Sequence, residues 1–485
     1  MSQEESVARE SFNLLTSTAH DIQQLFDRSE LTAESLVEQV LDQVDKHNGN
    51  GLNLRALISV APRQKLLERA QLLDQERADG KTRSPLHGIP FIDAIATDPK
   101  LGMDTTAGSW ALVDSQPPGN APAVQKLLDA GGILIGKASL TEFNNFKGDG
   151  LVDGWSPVNG YTRSAYVRGS LKLDEGAMGS AVGVSTGFGI VSLGVETDGS
   201  IVSPASRAAL YAMKPTIGTV SMDGVVPVTK SLDSVGAMAR SPADLAVVMK
   251  MLQAKGPGYG GGLSQLMTQK WYGLRIGFVD ENVWKLPETL CKTDNEVLYQ
   301  MRKEYHSVMD ILSDAGVHVE YPVALPLGEK IWPEIGDIMS YEFQPAFNHY
   351  LETLVSSPVR NLKELVEWNR QHTDTELPKE HPSQSYLENV SKCKISATEN
   401  ANTLASLRKI AGPDGIDKVL NLFELDAVAA LADSPISSVA SAAGEFLQAR
   451  LYLTKAKHPS RLSRGHDASR RFGRKWATIW YQHDY

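Results

Sequence analysis

Residues 194–207 read GVETDGSIVSPASR, and the interpretation of the whole chain starts from this stretch. A serine that attacks a carbonyl carbon needs backbone N–H groups aimed at the oxygen that becomes negative. Small residues on a tight turn permit that approach, and Gly199 keeps the backbone next to Ser200 accessible. We therefore take Ser200 as the candidate nucleophile. The backbone N–H groups of residues 197 to 200, with Thr197, Asp198 and Gly199 ahead of the serine, form the candidate oxyanion hole.

Strands and helices alternate along most of the chain. The segments ILIG (133–136) and LRIGFV (274–279) are apolar enough for buried strands, and helical spacing of apolar residues surrounds them. Thr32 and Ser241 stand where a helix N-cap is expected. This alternation predicts an α/β sheet with helices on both faces. Residues 323 to 425 read as mainly helical, and we expect them to lie over the open side of the sheet.

The composition limits the classes of protein to consider. The 485 residues are 42% hydrophobic and carry a net charge of −10, which favours a globular protein and argues against general nucleic-acid binding. No apolar run approaches the roughly 18 residues that a membrane span needs. The start, MSQEESVARES, lacks the pattern of a signal peptide, and two distant cysteines, Cys291 and Cys393, predict no disulfide framework. We therefore expect a cytoplasmic protein without a membrane or nucleic-acid partner, and the oligomeric state stays open.

Signals for metals and nucleotide cofactors are missing from the sequence. The eleven histidines form no HExxH or similar cluster, the cysteines match no zinc spacing, and GxGxxG does not occur. We expect neither a metal site nor a cofactor. Residues 446–485 carry nine Lys and Arg against two acids. A solvated basic segment is the favoured interpretation of this excess, and a docking patch for an acidic partner is the alternative.

A series of motifs in one order extends the argument beyond the serine loop. The order and spacing resemble the amidase-signature family, particularly its fungal members. The resemblance runs without a break from about residue 20 to residue 255 and continues more weakly to about 440. The motifs are PLHGIPF (85–91), DTTAGSWAL (104–112), GKASLTEFNNFKG (136–148), GWSPVNGYT (154–162), YVRGS (166–170), GSAVGVSTG (179–187), LGVETDGSIVSPASR (193–207), MKPTIGTVSMDGVVPV (213–228) and MARSPADLA (238–246).

The resemblance implies one large α/β domain built around a twisted mixed sheet with flanking helices. We place this domain at residues 21–444, after an N-terminal extension of residues 1–20 and before a divergent basic segment of residues 445–485. The resemblance also implies hydrolysis of a small-molecule carboxamide through an acyl-serine intermediate, without a metal or cofactor. Family members use a Ser–cis-Ser–Lys triad, in which a lysine made neutral by burial is the base.

The relay serine of that triad is altered in this chain. The family carries it in a run of the form GSSSGSA, whereas this chain reads DEGAMGSA (174–181). Counting back from Ser200 puts Gly176 at the relay position. Ser180 matches a later small-residue position of the run.

The lysine is also missing. The family reads HGIPF, two apolar residues and Lys-Asp, whereas this chain reads HGIPFIDAIATD and is two residues shorter. Asp93 is the remnant of the Lys-Asp pair. Lys137, in GKAS, matches a lysine that has a structural role in the family. Lys172 is the lysine nearest the altered serine run, and we consider it a weak replacement base.

The end of the chain also differs from the family, because the sequence after Gly444 does not match the family's proline- and glycine-rich closing segment. A sheet without its late strands would expose edges.

We weigh three hypotheses for the function of the chain. It is a divergent hydrolase of impaired activity with Asp174, Glu175 or Asp198 as substitute base, or a binding protein on the amidase scaffold without hydrolysis. The third reading is a decayed or wrongly assembled gene product.

Overall fold

A mixed β-sheet forms the centre of the computed structural model, which describes residues 12–166, 178–253, 270–285, 295–326, 328–431, 434–444, 447–449 and 478–481. Within these residues, eleven strands join in the order β1-β3-β2-β6-β8-β7-β12-β13-β11-β9-β10. Neighbours pair in parallel at β2–β3, β2–β6, β9–β10 and β9–β11, and the other pairs are antiparallel. The sheet is therefore mixed, as the sequence predicts.

The strands are short, and β4 and β5 form a separate hairpin-like pair. Their bounds are β1 Leu57–Val60, β2 Pro90–Asp93, β3 Ile133–Ala138, β4 Trp155–Ser156, β5 Gly160–Tyr161, β6 Val191–Glu196, β7 Tyr211–Lys214, β8 Ser234–Ala239, β9 Arg275–Val279, β10 His318–Val323, β11 Ala427–Ala430, β12 Leu447–Ala449 and β13 Thr478–Tyr481.

Two of the α-helices precede the first strand, and the others lie between strands along the chain. Their bounds are α1 Ala19–Asp27, α2 Ala33–His47, α3 Arg63–Ala78, α4 Pro122–Asp129, α5 Gly179–Ser185, α6 Val202–Arg207, α7 Pro242–Leu252, α8 Asn295–Asp314, α9 Trp332–Thr353, α10 Leu362–Gln371, α11 Thr373–Glu376, α12 Ser385–Val390, α13 Ala397–Ala411, α14 Asp417–Phe423 and α15 Ile436–Ala443. A π-helical turn, Gly412–Ile416, joins α13 to α14.

Both faces of the sheet are covered by apolar side chains. Successive residues of a strand point to opposite faces, and in β8 Ala237 and Met238 belong to two different buried clusters. The cluster that contains Ala237 includes residues of α2, α4 and α7, whereas the cluster that contains Met238 includes residues of α6, α13 and α15. The predicted layering of helices on both sides of the sheet is confirmed.

Two predicted helix starts are confirmed by their capping bonds. The Thr32 hydroxyl accepts the N–H of Ser35 at the start of α2, and the Ser241 hydroxyl accepts the N–H of Asp244 at the start of α7. Both caps satisfy an N–H group that has no partner inside its helix. Residues 323–425 are mainly helical as predicted, and Phe343 and Phe347 of α9 are fully buried.

The expectation of a sheet that lacks its late strands differs from the structure. Gln448 in β12 pairs with Met213 in β7, and Val428 in β11 pairs with Trp480 in β13. These two short strands connect the two halves of the sheet, because β12 and β13 also pair with each other. Strand pairing depends on backbone groups, so a segment with a divergent sequence can still complete a sheet. The domain boundaries at residues 20 and 444 stay predictions.

Within the described ranges, no helix has both the length and the apolar character needed to cross a lipid bilayer. Of the two cysteines, Cys393 is a free, half-buried thiol, and Cys291 lies outside the described residues.

Candidate active site

Ser200 lies on the turn that joins β6 to α6. Gly199 has φ of +82°, in the region that favours glycine, and a Cβ atom there would lie 3.1 Å from the Ser437 hydroxyl oxygen. Ser200 is half-buried and lines a small cavity of about 30 Å³. Ser139 and Ser180 also line this cavity. The turn therefore presents the candidate nucleophile to a small internal space.

The backbone N–H groups around Ser200 divide into two sets. The carboxylate of Glu196 accepts the N–H groups of Ile201 at 2.7 Å and Val202 at 2.9 Å. Among the described residues, no acceptor is found for the N–H groups of residues 197 to 200. These four neighbouring N–H groups thus have no acceptor in the described structure, and their role as an oxyanion hole stays a prediction.

Side chains from other elements hold this turn. The Thr197 hydroxyl donates to Asp233 at 2.6 Å, and the Ser441 hydroxyl donates to the Thr197 carbonyl at 2.7 Å. The Ser438 hydroxyl donates to the Asp198 carboxylate at 2.7 Å. Burial raises the pKa of Asp198, and the hydrogen bonds from Ser438 and Ser437 oppose that rise. Asp198 therefore contacts α15 and is not among the residues that line the cavity with Ser200.

Asp93, which the sequence comparison with the family motif interprets as the remnant of a Lys-Asp pair, ends β2 and is fully buried. The Lys137 ammonium lies 2.6 Å from its carboxylate and also donates to the carbonyl of Ile95. Burial raises the pKa of Asp93 and lowers the pKa of Lys137, and the attraction between the two opposes both shifts. Asp93 and Lys137 are register partners on the parallel strands β2 and β3. The shortened stretch therefore places an aspartate in an ion pair.

Residues 174–177 of the altered serine run and Lys172 lie outside the described residues, so the positions of Lys172, Asp174, Glu175 and Gly176 are not part of the structure described. In the described wall of the cavity, no residue is a lysine, histidine, aspartate or glutamate. That wall consists of Ala94, Ile95, Ala107, Ser139, Leu140, Asn144, Met178, Ser180, Gly194, Val195, Ser200, Val225, Val226 and Met238. The described residues thus bring Ser200 and backbone donors together without a titratable side chain on the cavity wall.

A buried charge cluster of Glu142, Lys147 and Glu376 is a feature that sequence reasoning missed. The Lys147 ammonium contacts Glu142 at 2.6 Å and Glu376 at 2.9 Å, and all three side chains are at most 1% exposed. Glu376 also accepts from the Ser109 hydroxyl at 3.0 Å. The motif TEFNNFKG shows two of the three residues, but Glu376 comes 229 residues after Lys147.

The pKa of Glu142 lies well above its ordinary value. Burial is the main cause, the neighbouring Glu376 carboxylate adds to it, and Lys147 opposes it. One oxygen of Glu142, Oε1, is buried without a hydrogen-bond partner in the described structure. An ionised carboxylate in that setting is poorly solvated, which is the physical cause of the raised pKa.

The raised pKa predicts how stability depends on pH. In the unfolded chain a glutamate titrates at about 4.3. A carboxyl whose folded-state pKa is higher contributes stability that is fully present below that value and is lost as pH rises through the folded pKa. We expect Glu142→Gln to remove this loss, so that the variant gains stability relative to the wild type as pH rises above about 4. Urea unfolding across a pH series measures the difference, with the exposed Glu38→Gln as the control. A difference that is flat with pH contradicts the prediction.

The described residues also contain no cluster of three or more His, Cys, Asp or Glu side chains that could hold a metal ion. The candidate site therefore rests on one serine, a set of backbone N–H groups and the side chains that hold them.

Comparisons with known proteins identify the family of this chain. The family model described as Amidase matches residues 35–420. A protein of Arabidopsis thaliana named as a probable amidase is 32% identical over 450 residues, which cover 90% of this chain and 83% of the plant protein.

Solved structures give the same assignment. The native peptide amidase from Stenotrophomonas maltophilia is 30% identical with a TM-score of 0.77, over 89% of each chain. An amidase family protein from Bacillus anthracis, at 24% identity, has the same fold with a TM-score of 0.77 over 96% of this chain and 87% of its own. By family model, sequence and fold, this chain belongs to the amidase family.

Proposed function

We propose that this chain is a serine-dependent hydrolase of carboxamide C–N bonds, with Ser200 as nucleophile and an impaired rate. The observation that carries the proposal is the position of Ser200 on a cavity, beside four backbone N–H groups without an acceptor in the described structure. Such donors stabilise the negative oxygen of a tetrahedral intermediate. The substrate is a small molecule or peptide end that carries an amide.

The proposed reaction proceeds in two steps. The Ser200 hydroxyl loses its proton and its oxygen bonds to the amide carbon, while the carbonyl oxygen becomes negative beside the N–H groups of residues 197 to 200. The C–N bond then breaks, the amine leaves with a proton, and an acyl-serine ester remains. Water adds to that ester, and the acid is released with Ser200 restored. The route needs neither a metal nor an organic cofactor.

The proton of Ser200 is the reason for the impaired rate. A serine hydroxyl stays protonated at neutral pH unless a base accepts its proton. In the sequence, the family's lysine has no counterpart next to Asp93, and Gly176 stands at the position of the relay serine. The described cavity wall has no titratable group. That same observation favours a second candidate function, in which the cavity binds an amide or a similar ligand without cleaving it.

Labelling with a fluorophosphonate probe tests the proposal. We expect slow labelling of the wild type that becomes faster at alkaline pH, where more of the serine is ionised, and no labelling of Ser200→Ala. Ser185→Ala is the matched control, because Ser185 is half-buried on α5 and donates only to its own helix, at Val182. The intact protein is analysed by mass spectrometry to count the probe groups attached.

The outcomes separate the three readings of the chain. Labelling that Ser185→Ala keeps and Ser200→Ala loses supports hydrolysis by Ser200. A protein that melts cooperatively but stays unlabelled from pH 7 to about pH 10 contradicts the proposal and favours ligand binding. A chain that aggregates without a cooperative transition favours the decayed or wrongly assembled product.

A further inference from the structure

Three serines of α15, namely Ser437, Ser438 and Ser441, face the turn that carries Ser200. All three are buried, and they come about 240 residues after the turn in the sequence. The family match ends at residue 420, so this helix lies beyond the matched region. The serine motif therefore does not include the contacts between α15 and the turn.

The direction of the Ser438 hydrogen bonds follows from the partners. The indole N–H of Trp332 can only donate, and it lies 2.9 Å from the Ser438 oxygen. Ser438 has one hydroxyl proton, so that proton is directed to the carboxylate of Asp198 at 2.7 Å. Trp332, Ser438 and Asp198 thus form a chain of hydrogen bonds in one direction. This chain keeps the Asp198 side chain against α15.

Ser441 acts on the backbone of the turn. Its hydroxyl donates to the carbonyl oxygen of Thr197 at 2.7 Å. In a trans peptide unit the C=O and the following N–H point in opposite directions. A Thr197 carbonyl held on the α15 side therefore directs the N–H of Asp198 away from α15. That N–H is one of the four donors without an acceptor in the described structure.

We propose that Ser441 and Ser438 are positioning residues for the nucleophile turn, a proposal that rests on the proposed function. Ser441 fixes the Thr197–Asp198 peptide so that the Asp198 N–H is available to the oxyanion, and Ser438 holds the Asp198 carboxylate away from the reacting atoms. The half-buried Arg408 supports α15 in turn, because its guanidinium donates to the carbonyls of Ser441 at 2.6 Å and Ser231 at 2.6 Å.

Single substitutions test the positioning. Removing one oxyanion donor in a working hydrolase lowers the rate by about 10²- to 10³-fold. A donor that is misdirected for part of the time costs less, so we expect Ser441→Ala to lower the rate constant for probe labelling by about 10- to 100-fold. The matched control is Ser434→Ala, because Ser434 is also buried just before α15 and donates to Leu431 instead of the turn. We expect the control to stay within about twofold.

Asp198 variants separate positioning from direct catalysis. An asparagine keeps a side-chain oxygen that accepts the Ser438 proton, so positioning predicts that Asp198→Asn retains labelling within about tenfold. If Asp198 were the base, Asp198→Asn would remove labelling and Ser438→Ala would displace the pH profile. Positioning predicts an unchanged pH profile for Ser441→Ala and Ser438→Ala, because neither variant removes a titrating group.

Hydrogen–deuterium exchange supplies a readout that does not need an active enzyme. We expect amides in the peptide 194–207 to exchange faster in Ser441→Ala than in the wild type and in Ser434→Ala, with the rest of the protein unchanged. A wild type that cannot be labelled overturns the proposed function, and exchange then decides the positioning alone. Exchange in 194–207 that is the same in Ser441→Ala and Ser434→Ala overturns the positioning, whether or not the wild type is labelled.

Discussion

Turnover of a simple carboxamide by the wild-type chain is expected to be about 10⁴- to 10⁶-fold slower than turnover by a family member with a complete triad. Removing one member of a catalytic triad costs about this factor, and losing a second member adds little because the members act as a unit. The described cavity wall has no titratable group to replace the lysine. About 10³-fold acceleration over water remains from the oxyanion hole and substrate binding.

The measurement is ammonia release from a peptide amide at neutral pH, with a family member that retains the triad assayed beside it. Ser200→Ala is expected to reduce the residual rate further, because it removes the atom that forms the acyl ester. Asp93→Asn alters the ion pair with Lys137 and tests whether that buried pair takes part in the residual hydrolysis. A wild-type rate within tenfold of the complete enzyme would show that another group accepts the Ser200 proton.

The sequence predicts those parts of the fold that depend on neighbouring residues. The serine turn is one, because a glycine with positive φ and small flanking residues belong to one short stretch. The caps at Thr32 and Ser241 are another, since each bond spans three residues. Alternating strands and helices indicate the α/β class by local periodicity alone. The position of Ser200 on a tight turn could therefore be predicted from the residues of one segment.

Contacts between distant segments could not be predicted in the same way. Asp93 and Lys137 are 44 residues apart, and their pairing needs the register of β2 against β3. Glu376 meets Lys147 only after the chain has passed through α9 and α10. One signal was available for the first pair: a lone charged residue follows an apolar run in both GIPFID and ILIGK. Buried charges of opposite sign at the ends of adjacent strands are expected to pair.

The late strands β12 and β13 form where the sequence comparison predicted that strands would be missing. The sequence after residue 444 has no counterpart in the motifs of the family, yet β12 and β13 lie between β7 and β11 in the sheet. Pairing of backbone groups sets few demands on side-chain identity, whereas a catalytic position demands one residue type. The same degree of divergence therefore has unequal consequences. It leaves the sheet continuous at its centre, whereas at a catalytic position it is expected to impair the reaction.

Replacing Lys147 by methionine is expected to destabilise the protein by about 3 to 5 kcal/mol. The Lys147 ammonium is the cation between two carboxylates that are fully buried, and methionine fills a similar volume without the charge. Breaking a buried ion pair by removing one partner leaves an uncompensated charge, which costs more than the pair contributes. Urea unfolding at neutral pH measures the loss. The exposed Lys46→Met on α2 is the control, and we expect its effect to be within about 0.5 kcal/mol.

A second substitution in the same cluster distinguishes lost charge from lost packing. Adding Glu142→Gln to Lys147→Met removes one of the two carboxylates that the missing ammonium leaves behind, so part of the stability should return. Adding the exposed Glu38→Gln instead should return none. If Lys147→Met costs as much in the Glu142→Gln background as in the wild type, the loss comes from packing and the charge argument is wrong. Because a carboxyl with a raised pKa takes up a proton more readily as pH falls, the recovery should be larger at pH 8 than at pH 5.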